Sequence, residues 1–277
     1  MKIILRILFF SICTVLLWSC GSKQKPQIAQ AEKRTVIEML TNFGPIYLEL
    51  YNETPQHRDN FIKIIEDGVL DSVLFHRVIQ DFMIQGGDPD SKQAPDSVSL
   101  GEGGLNYRVF PEFHPTLFHK KGALAAARDN NPDRASSSTQ FYIVQGKVFT
   151  DSMLTLAEQR INDWLAQDLV KKDSVNHELS EAFYLAMRNN DIENYTRLND
   201  SIVALAKNYE FEHYTIPDDQ RQVYKTLGGT PHLDQNYTVF GEVIKGLNVV
   251  DSIAAVETGD FDRPVKNVRI LHIRVLE

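Results

Sequence analysis

The sequence contains few cysteines, and both stand near its beginning. Among 277 residues there are two, Cys13 and Cys20. Cys13 lies in an apolar stretch that we interpret as part of a removable signal, so the remaining chain keeps one cysteine. One cysteine cannot form an intramolecular disulfide, and this excludes a small domain held together by disulfide bridges.

Residue patterns typical of several enzyme classes are also missing. The eight histidines show no metal-binding spacing such as H-E-x-x-H, and no motif indicates a serine or cysteine nucleophile. We therefore predict neither a metal nor any other cofactor. With 29 basic and 37 acidic side chains the net charge is −8, so nucleic acid is not an expected partner.

The beginning of the chain has the pattern of a secretory signal. Lys2 and Arg6 precede an apolar run over residues 7–17, which is shorter than the about 20 residues that a membrane-spanning helix needs. The string L-W-S-C follows at residues 17–20. A basic start, a short apolar core and small residues at a cleavage site are typical of a signal peptide.

L-x-S-C resembles the bacterial lipobox, in which the cysteine is acylated. We predict a lipoprotein signal peptide over residues 1–19, lipidation at Cys20 and a flexible polar tether over residues 20–34. Because Gly21 and not Asp follows the cysteine, we expect the protein to be located in the cell envelope, anchored in the outer membrane and facing the periplasm. An ordinary signal peptide and an uncleaved anchor are the alternatives.

The most informative segment covers residues 75–88, F-H-R-V-I-Q-D-F-M-I-Q-G-G-D. Successive side chains of a strand alternate between its two faces. Arg77 is therefore predicted to share one face with Phe75 and Ile79. A cation on an apolar strand face indicates either a binding surface or a buried ion pair with a carboxylate.

The second half of this segment predicts another strand and a turn. After a break at residues 80–81, Met83 and Gln85 share a face, and Gly86-Gly87 permits a sharp turn. A fixed cation, an amide and large apolar groups then line one concave surface.

The whole string resembles the signature of the cyclophilins, a family of peptidyl-prolyl cis–trans isomerases. Four more segments resemble motifs of that family, namely residues 122–128, 130–143, 228–234 and 237–243. The resemblance implies a mainly β fold, a closed eight-stranded antiparallel barrel with two capping helices. Residues 35–149 and 227–277 form this barrel in the predicted organisation.

Residues 150–226 interrupt the family pattern, and we predict that they form an inserted α-helical subdomain. Apolar residues recur there at helical spacing in three stripes, for example Tyr195, Leu198 and Ile202. Residues 151–225 hold 14 acidic and 8 basic side chains, a bias typical of a solvated face. Either the stripes only pack on each other and on the barrel, or the insertion extends the peptide-binding surface or docks a partner.

The resemblance implies a set of site residues. Arg77 and Gln85 take the catalytic roles, Arg77 donating to the prolyl nitrogen and Gln85 binding the substrate carbonyl and placing Arg77. The predicted substrate-binding residues are Phe82, Met83, Ala127, Arg128, Gln140, Tyr142, Leu233, Tyr237 and His232. Without the resemblance, the apolar members are ordinary core residues. His232 and Tyr237 stand where many members have Trp and His, and His232 has the ordinary pKa range of a histidine, near neutral pH.

The predicted function is peptidyl-prolyl cis–trans isomerisation during the folding of extracytoplasmic proteins. The predicted partners are proline-containing polypeptides of the cell envelope and the membrane, the latter through the acylated cysteine, and the chain is predicted to be a monomer. The main alternative is a proline-peptide binding or chaperone module whose insertion recruits partners. A purely structural lipoprotein is less favoured, because it has no need of an Arg/Gln-lined pocket.

Overall fold

The computed structural model describes residues 33–95 and 98–276. Its strands are β1 Val36–Thr41, β2 Gly44–Leu50, β3 Phe75–Ile79, β4 Met83–Gly86, β5 Arg108–Val109, β6 Ala123–Ala126, β7 Ser136–Ser137, β8 Phe141–Val144, β9 Val239–Lys245 and β10 Ile270–Leu276. Its α-helices are α1 Pro55–Glu66, α2 Asp151–Lys172, α3 His177–Arg188, α4 Ile192–Ala206, α5 Asp218–Thr226 and α6 Leu247–Ala254. Short 3₁₀ turns include Pro231–Leu233 and Asp260–Asp262.

Eight of the strands form one antiparallel sheet in the order β10-β1-β2-β9-β6-β8-β4-β3, whereas β5 and β7 pair separately. The predicted closed barrel is wrong in this respect, because the sheet is a half-barrel whose edge strands β3 and β10 do not form a ladder. Main-chain hydrogen bonds join residues 72–75 to residues 268–270. Beyond them the amide of Ile273 donates to the Asp71 side chain at 3.1 Å and not to a main-chain carbonyl.

The main core lies between the sheet and two helices, α1 and α6. Alternate residues of β1 and β2 are buried, as the period of a strand requires. Helix α1 contributes Phe61, whose ring makes edge-to-face contacts with Phe141 and Phe240 at 5.4 and 5.3 Å between centroids. Helix α6 contributes Val250 and Ile253, both fully buried.

Four helices, α2 to α5, lie between β8 and β9 in the chain. Helices α2, α3 and α4 share a hydrophobic cluster that includes Val170, Phe183, Leu198 and Ile202. Residues 34–277 together make one compact unit. The division of this unit into a barrel and an inserted subdomain stays a prediction.

The Thr-Pro pair at residues 54–55 is typical of a helix start with the threonine hydroxyl as cap. Helix α1 does begin at Pro55, but the expected hydroxyl cap is wrong: at φ −126° and ψ 65° the Thr54 hydroxyl makes no hydrogen bond with the described residues. Asp88 has a structural role at the turn after β4. Its buried carboxylate accepts from the amides of Asp90 and Gly101 at 2.8 and 2.6 Å.

The predicted signal peptide and Cys20 lie outside the described residues. In the part of the chain that the structure describes, no helix has the length and apolar character needed to cross a membrane.

Replacing Phe61 by alanine tests the packing of α1 on the sheet. Because Phe61 is almost fully buried between two aromatic rings, Phe61→Ala is expected to lower the free energy of unfolding by about 3–5 kcal/mol. Urea unfolding measures this change. Phe110→Ala is the matched control, since Phe110 is 66% exposed, and similar losses from both variants would contradict the packing described here.

Candidate active site

A cleft of about 160 Å³ opens on the sheet, beside the 3₁₀ turn Pro231–Leu233. Nine of the residues predicted from the sequence line it: Arg77, Phe82, Met83, Gln85, Ala127, Arg128, Tyr142, Leu233 and Tyr237. Two further predicted residues, Gln140 and His232, are not in its lining.

Strand register explains why residues so far apart in sequence meet. Arg77 on β3 is paired with Gln85 on β4, and Gln85 is paired in turn with Tyr142 on β8. Paired residues of neighbouring strands project on the same face. One row across three strands therefore presents a cation, an amide and an aromatic ring.

The predicted position of Phe75 on the face of Arg77 is wrong. The pairing of β3 with β4 shifts between these two residues, as in a β-bulge. Phe75 consequently packs in the main core against Phe141 at 6.2 Å between centroids. Arg77, by contrast, is 43% exposed in the cleft.

The guanidinium of Arg77 is restrained by a carboxylate that the sequence analysis did not identify. Its Nε donates to Asp262 Oδ2 at 3.2 Å, and the Asp262 side chain is 45% exposed. Within the described residues the two terminal nitrogens of Arg77 make no hydrogen bond. Phe261 and Asp262 both have left-handed backbone angles, with φ of 57° and 59°, which is a strained conformation for phenylalanine. The two charged residues are 185 positions apart, so no sequence pattern links them.

Gln140 positions Gln85. The Gln140 amide nitrogen donates to the carbonyl oxygens of Gly101 and Gly103 at 2.8 and 2.7 Å. These two bonds orient its Oε1 toward Gln85, whose Nε2 donates to it at 3.2 Å. Gln85 keeps a second N–H for another acceptor. The predicted help of Gln85 in placing Arg77 is not visible as a hydrogen bond, although the two side chains are neighbours in register.

A buried polar network supports the aromatic wall of the cleft. His119 Nδ1 donates to Asp234 Oδ1 at 2.7 Å, because a carboxylate can only accept. His119 Nε2 then accepts from the Tyr142 hydroxyl at 2.9 Å. The second oxygen of Asp234 accepts from the Tyr224 hydroxyl at 2.6 Å. All four side chains are buried.

This network connects helix α5 to the cleft. Burial, the largest cause, and the charge of Asp234 raise the pKa of Tyr224 well above its ordinary value, so its phenol stays a donor. Gly229 allows the close approach of α5, since a Cβ there would lie 2.6 Å from the Tyr224 ring and 2.2 Å from the His119 carbonyl oxygen. No pattern in the sequence assigns a role to His119, Asp234 or Tyr224, because they lie in three separate segments.

His232, outside the lining, and Tyr237, within it, make different contacts. His232 stacks on Phe82 at 5.6 Å between centroids. Burial first, and then the positive charge of Arg160, lowers the pKa of His232 to about 4, so the expectation of titration near neutral pH is wrong. Tyr237 lies under the guanidinium of Arg128 at 4.7 Å.

A cleft in which the half-exposed Arg77 lies beside apolar side chains, on an antiparallel half-barrel with packed helices, is typical of a cyclophilin-like protein. The family model described as cyclophilin type peptidyl-prolyl cis-trans isomerase/CLD matches residues 36–161 and 172–275. The chain belongs to this family, and the predicted class of enzyme, an isomerase, is confirmed.

Relatives and solved structures agree with this assignment. A Staphylococcus aureus "Putative peptidyl-prolyl cis-trans isomerase" is 29% identical over 253 residues, 91% of this chain and 95% of the relative. A Streptococcus pyogenes "Putative bifunctional phosphatase/peptidyl-prolyl cis-trans isomerase" is 28% identical over 244 residues, 87% of this chain but 38% of that relative. A crystal structure of a Cryptosporidium parvum cyclophilin type peptidyl-prolyl cis-trans isomerase has a TM-score of 0.52 at 16% identity, covering 88% of this chain and 99% of the other. That likeness shows the fold.

Acid titration tests the buried position of His232. A pKa lowered from 6.5 to about 4 on folding means that the folded state disfavours the protonated ring. The contribution of the neutral His232 ring to the free energy of unfolding is complete above about pH 6.5 and is lost as the pH falls toward 4. Between pH 7.5 and 4.5 we expect the parent protein to lose about 2 kcal/mol more of its unfolding free energy than His232→Asn loses. The conversion is about 1.36 kcal/mol per pKa unit.

Urea unfolding at the two pH values measures this effect. His177→Asn is the control, because that histidine lies 70% exposed on α3. An unchanged pH dependence in His232→Asn would show that the ring is not buried as described.

Proposed function

We propose that the protein catalyses rotation about X–Pro peptide bonds in the cleft, with Arg77 donating to the prolyl nitrogen. The observation that carries this proposal is the row of Arg77, Gln85 and Tyr142 beside the apolar side chains that line the same cleft. The row supplies a donor, a peptide-binding amide and a hydrophobic wall in one small space.

The chemistry of the reaction matches what the cleft contains. The barrier to rotation is about 18–20 kcal/mol and arises from the loss of amide resonance. No covalent bond breaks, so the reaction calls for neither a nucleophile nor a general base. It calls for a dry pocket for the proline ring and a donor to the nitrogen as it becomes pyramidal.

Arg77 suits the role of donor. A guanidinium keeps its charge and its planar geometry, and the bond from Nε to Asp262 restrains its orientation. Its terminal nitrogens then donate to the prolyl nitrogen, which is a better acceptor in the twisted state than in the cis or trans ground state. Arg77 therefore stabilises the transition state more than either ground state, which is the condition for catalysis. Gln85, held by Gln140, binds a neighbouring carbonyl.

Magnitudes show that Arg77 does not act alone. An acceleration of about 10⁵-fold requires about 7 kcal/mol at about 1.36 kcal/mol per decade. One charge-assisted hydrogen bond contributes about 1.5–3 kcal/mol. Positioning and the exclusion of water by Phe82, Met83, Tyr142 and Leu233 supply the remainder.

We also propose that the protein acts outside the cytoplasm, on proline-containing polypeptides of the cell envelope. The support is the signal-like segment and the L-W-S-C string that ends at Cys20. Several acyl chains on one cysteine hold a protein firmly at a membrane surface, whereas a single chain binds only weakly. The polar tether after Cys20 then separates the folded unit from the membrane.

Arg77→Ala tests the catalytic proposal. Because one charge-assisted hydrogen bond is lost, we expect kcat/KM for a proline peptide to fall at least tenfold. Exchange spectroscopy by NMR measures the rate of isomerisation. Arg274→Ala, which removes an exposed arginine paired with Glu38 on the far sheet edge, is expected to keep full activity.

Equal activity of Arg77→Ala and the parent protein would exclude Arg77 as the donor. A well-folded parent that binds proline peptides without accelerating their exchange would favour the binding module instead.

Cys20→Ser tests the proposed anchor. We expect the parent protein, made in a bacterium, to fractionate with membranes and to carry acyl chains on Cys20 by mass spectrometry. Cys20→Ser is expected to lose both properties, because no acceptor thiol remains. Cys13→Ser, a matched change inside the apolar run, is expected to stay anchored. An unmodified Cys20 in membrane-bound protein would contradict the proposal.

A further inference from the structure

A second cavity adjoins the cleft on its helical side. Its volume is about 560 Å³, and it lies between the loop after β6 and the helices α2, α3 and α4. The lining residues used below are Arg128, Arg134, Trp164, Asp168, Lys171 and Tyr237.

The two cavities adjoin each other. Arg128 and Tyr237 line both of them. Trp164 of α2 packs against the hydrophobic cluster that includes the cleft residues Tyr142 and Leu233. A peptide that extends from the cleft past these shared side chains would bring a neighbouring residue to the second cavity.

The carboxylates of the second cavity are already compensated. Asp168 lies 2.9 Å from Lys172 and 3.6 Å from Arg134. Asp129 forms an ion pair with Arg108. Neither carboxylate needs a positive group from a ligand.

Two of the three cations that line the cavity, Arg128 and Lys171, in contrast have no anionic partner among the described residues, whereas Arg134 is paired with Asp168. Arg128 donates to the Asn236 carbonyl and side-chain oxygens at 3.0 and 2.7 Å and to the Asp129 carbonyl, which are all neutral acceptors. Among the described residues, Lys171 contacts the ring of Phe183 at 5.7 Å and makes no ion pair. Burial lowers the pKa of Lys171, Asp168 opposes this, and Arg128 and Arg134 add to it.

On the other flank of the cleft the charges have the opposite sign. A cavity that shares Arg77 and Gln85 with the cleft is also lined by Glu102, Asp260 and Asp262. That flank carries three carboxylates, of which Asp262 is paired with Arg77, and two arginines, so its charged side chains leave an excess of one negative charge. The helical flank is the better position for an acidic residue.

From these contacts we infer that the helical-side cavity is a substrate subsite for an acidic side chain of the client, close in sequence to the isomerised proline. This inference rests on the proposed function, because it assumes that a proline peptide occupies the cleft. Arg128 and Lys171 supply the charge, and Trp164 supplies an apolar surface beside it. The helices between β8 and β9 thus select which prolines are isomerised.

The experiment compares peptides that carry one proline and a single glutamate at successive positions before and after it, with glutamine peptides as neutral partners. The full-length protein carries Trp18→Phe, so that Trp164 is the remaining tryptophan and its fluorescence reports binding in this cavity. Exchange by NMR gives kcat/KM for the same peptides.

We expect one or two glutamate positions on one side of the proline to improve Kd and kcat/KM at least fivefold over glutamine and to change the Trp164 emission. Lys171→Glu is expected to abolish or invert this preference, and Lys171→Met to abolish it without adding a negative charge. Lys207→Glu introduces the same charge on the exposed end of α4 and is expected to keep the preference.

Two results would overturn the inference. The first is equal treatment of glutamate and glutamine peptides at every position by the parent protein. The second is a preference that survives in both Lys171 variants. Catalysis of neutral peptides by the parent protein reports separately on the proposed function, and Trp164 emission reports on the subsite even if no catalysis occurs.

Discussion

The pairing register of three adjacent strands is the constraint on which the site depends. Arg77, Gln85 and Tyr142 meet because β3, β4 and β8 align them in one row. A slip of one residue in any of these pairings would move a side chain to the opposite face of the sheet. Because of the bulge between Phe75 and Arg77, the two side chains of β3 lie in different surroundings. Phe75 packs in the core, and Arg77 lies in the cleft.

A buried carboxylate ties the helical region to this sheet. Asp234 is satisfied by His119 and by Tyr224 of α5, and His119 in turn holds Tyr142. An unpaired charge in such a place would be costly, so the donors are required wherever Asp234 is buried. Helix α5, far in the chain from β3 and β4, therefore takes part in building the wall of the cleft.

The reaction places few chemical demands on the protein, and this explains how the surroundings can vary. In the mechanism that we propose, catalysis of rotation needs a fixed donor and a dry pocket, and side chains on the strands are the candidates for both. The neighbouring loops and helices are then free to carry different charges, acidic around Asp260 and Asp262 and basic around Arg128 and Lys171. A rigid scaffold with variable flanking segments is a common way to change specificity without changing chemistry.

The sequence by itself determined the strands of the signature, through local alternation and an uninterrupted motif, and its resemblance to the cyclophilins implied the family and the nine residues that line the cleft. Only the tertiary structure decided the partners of those residues. Asp262 reaches Arg77 across 185 positions, and His119, Asp234 and Tyr224 meet through three separate segments. It also decided that the sheet is a half-barrel and that His232 titrates in acid, since edge pairing and burial depend on how distant segments pack and not on local sequence.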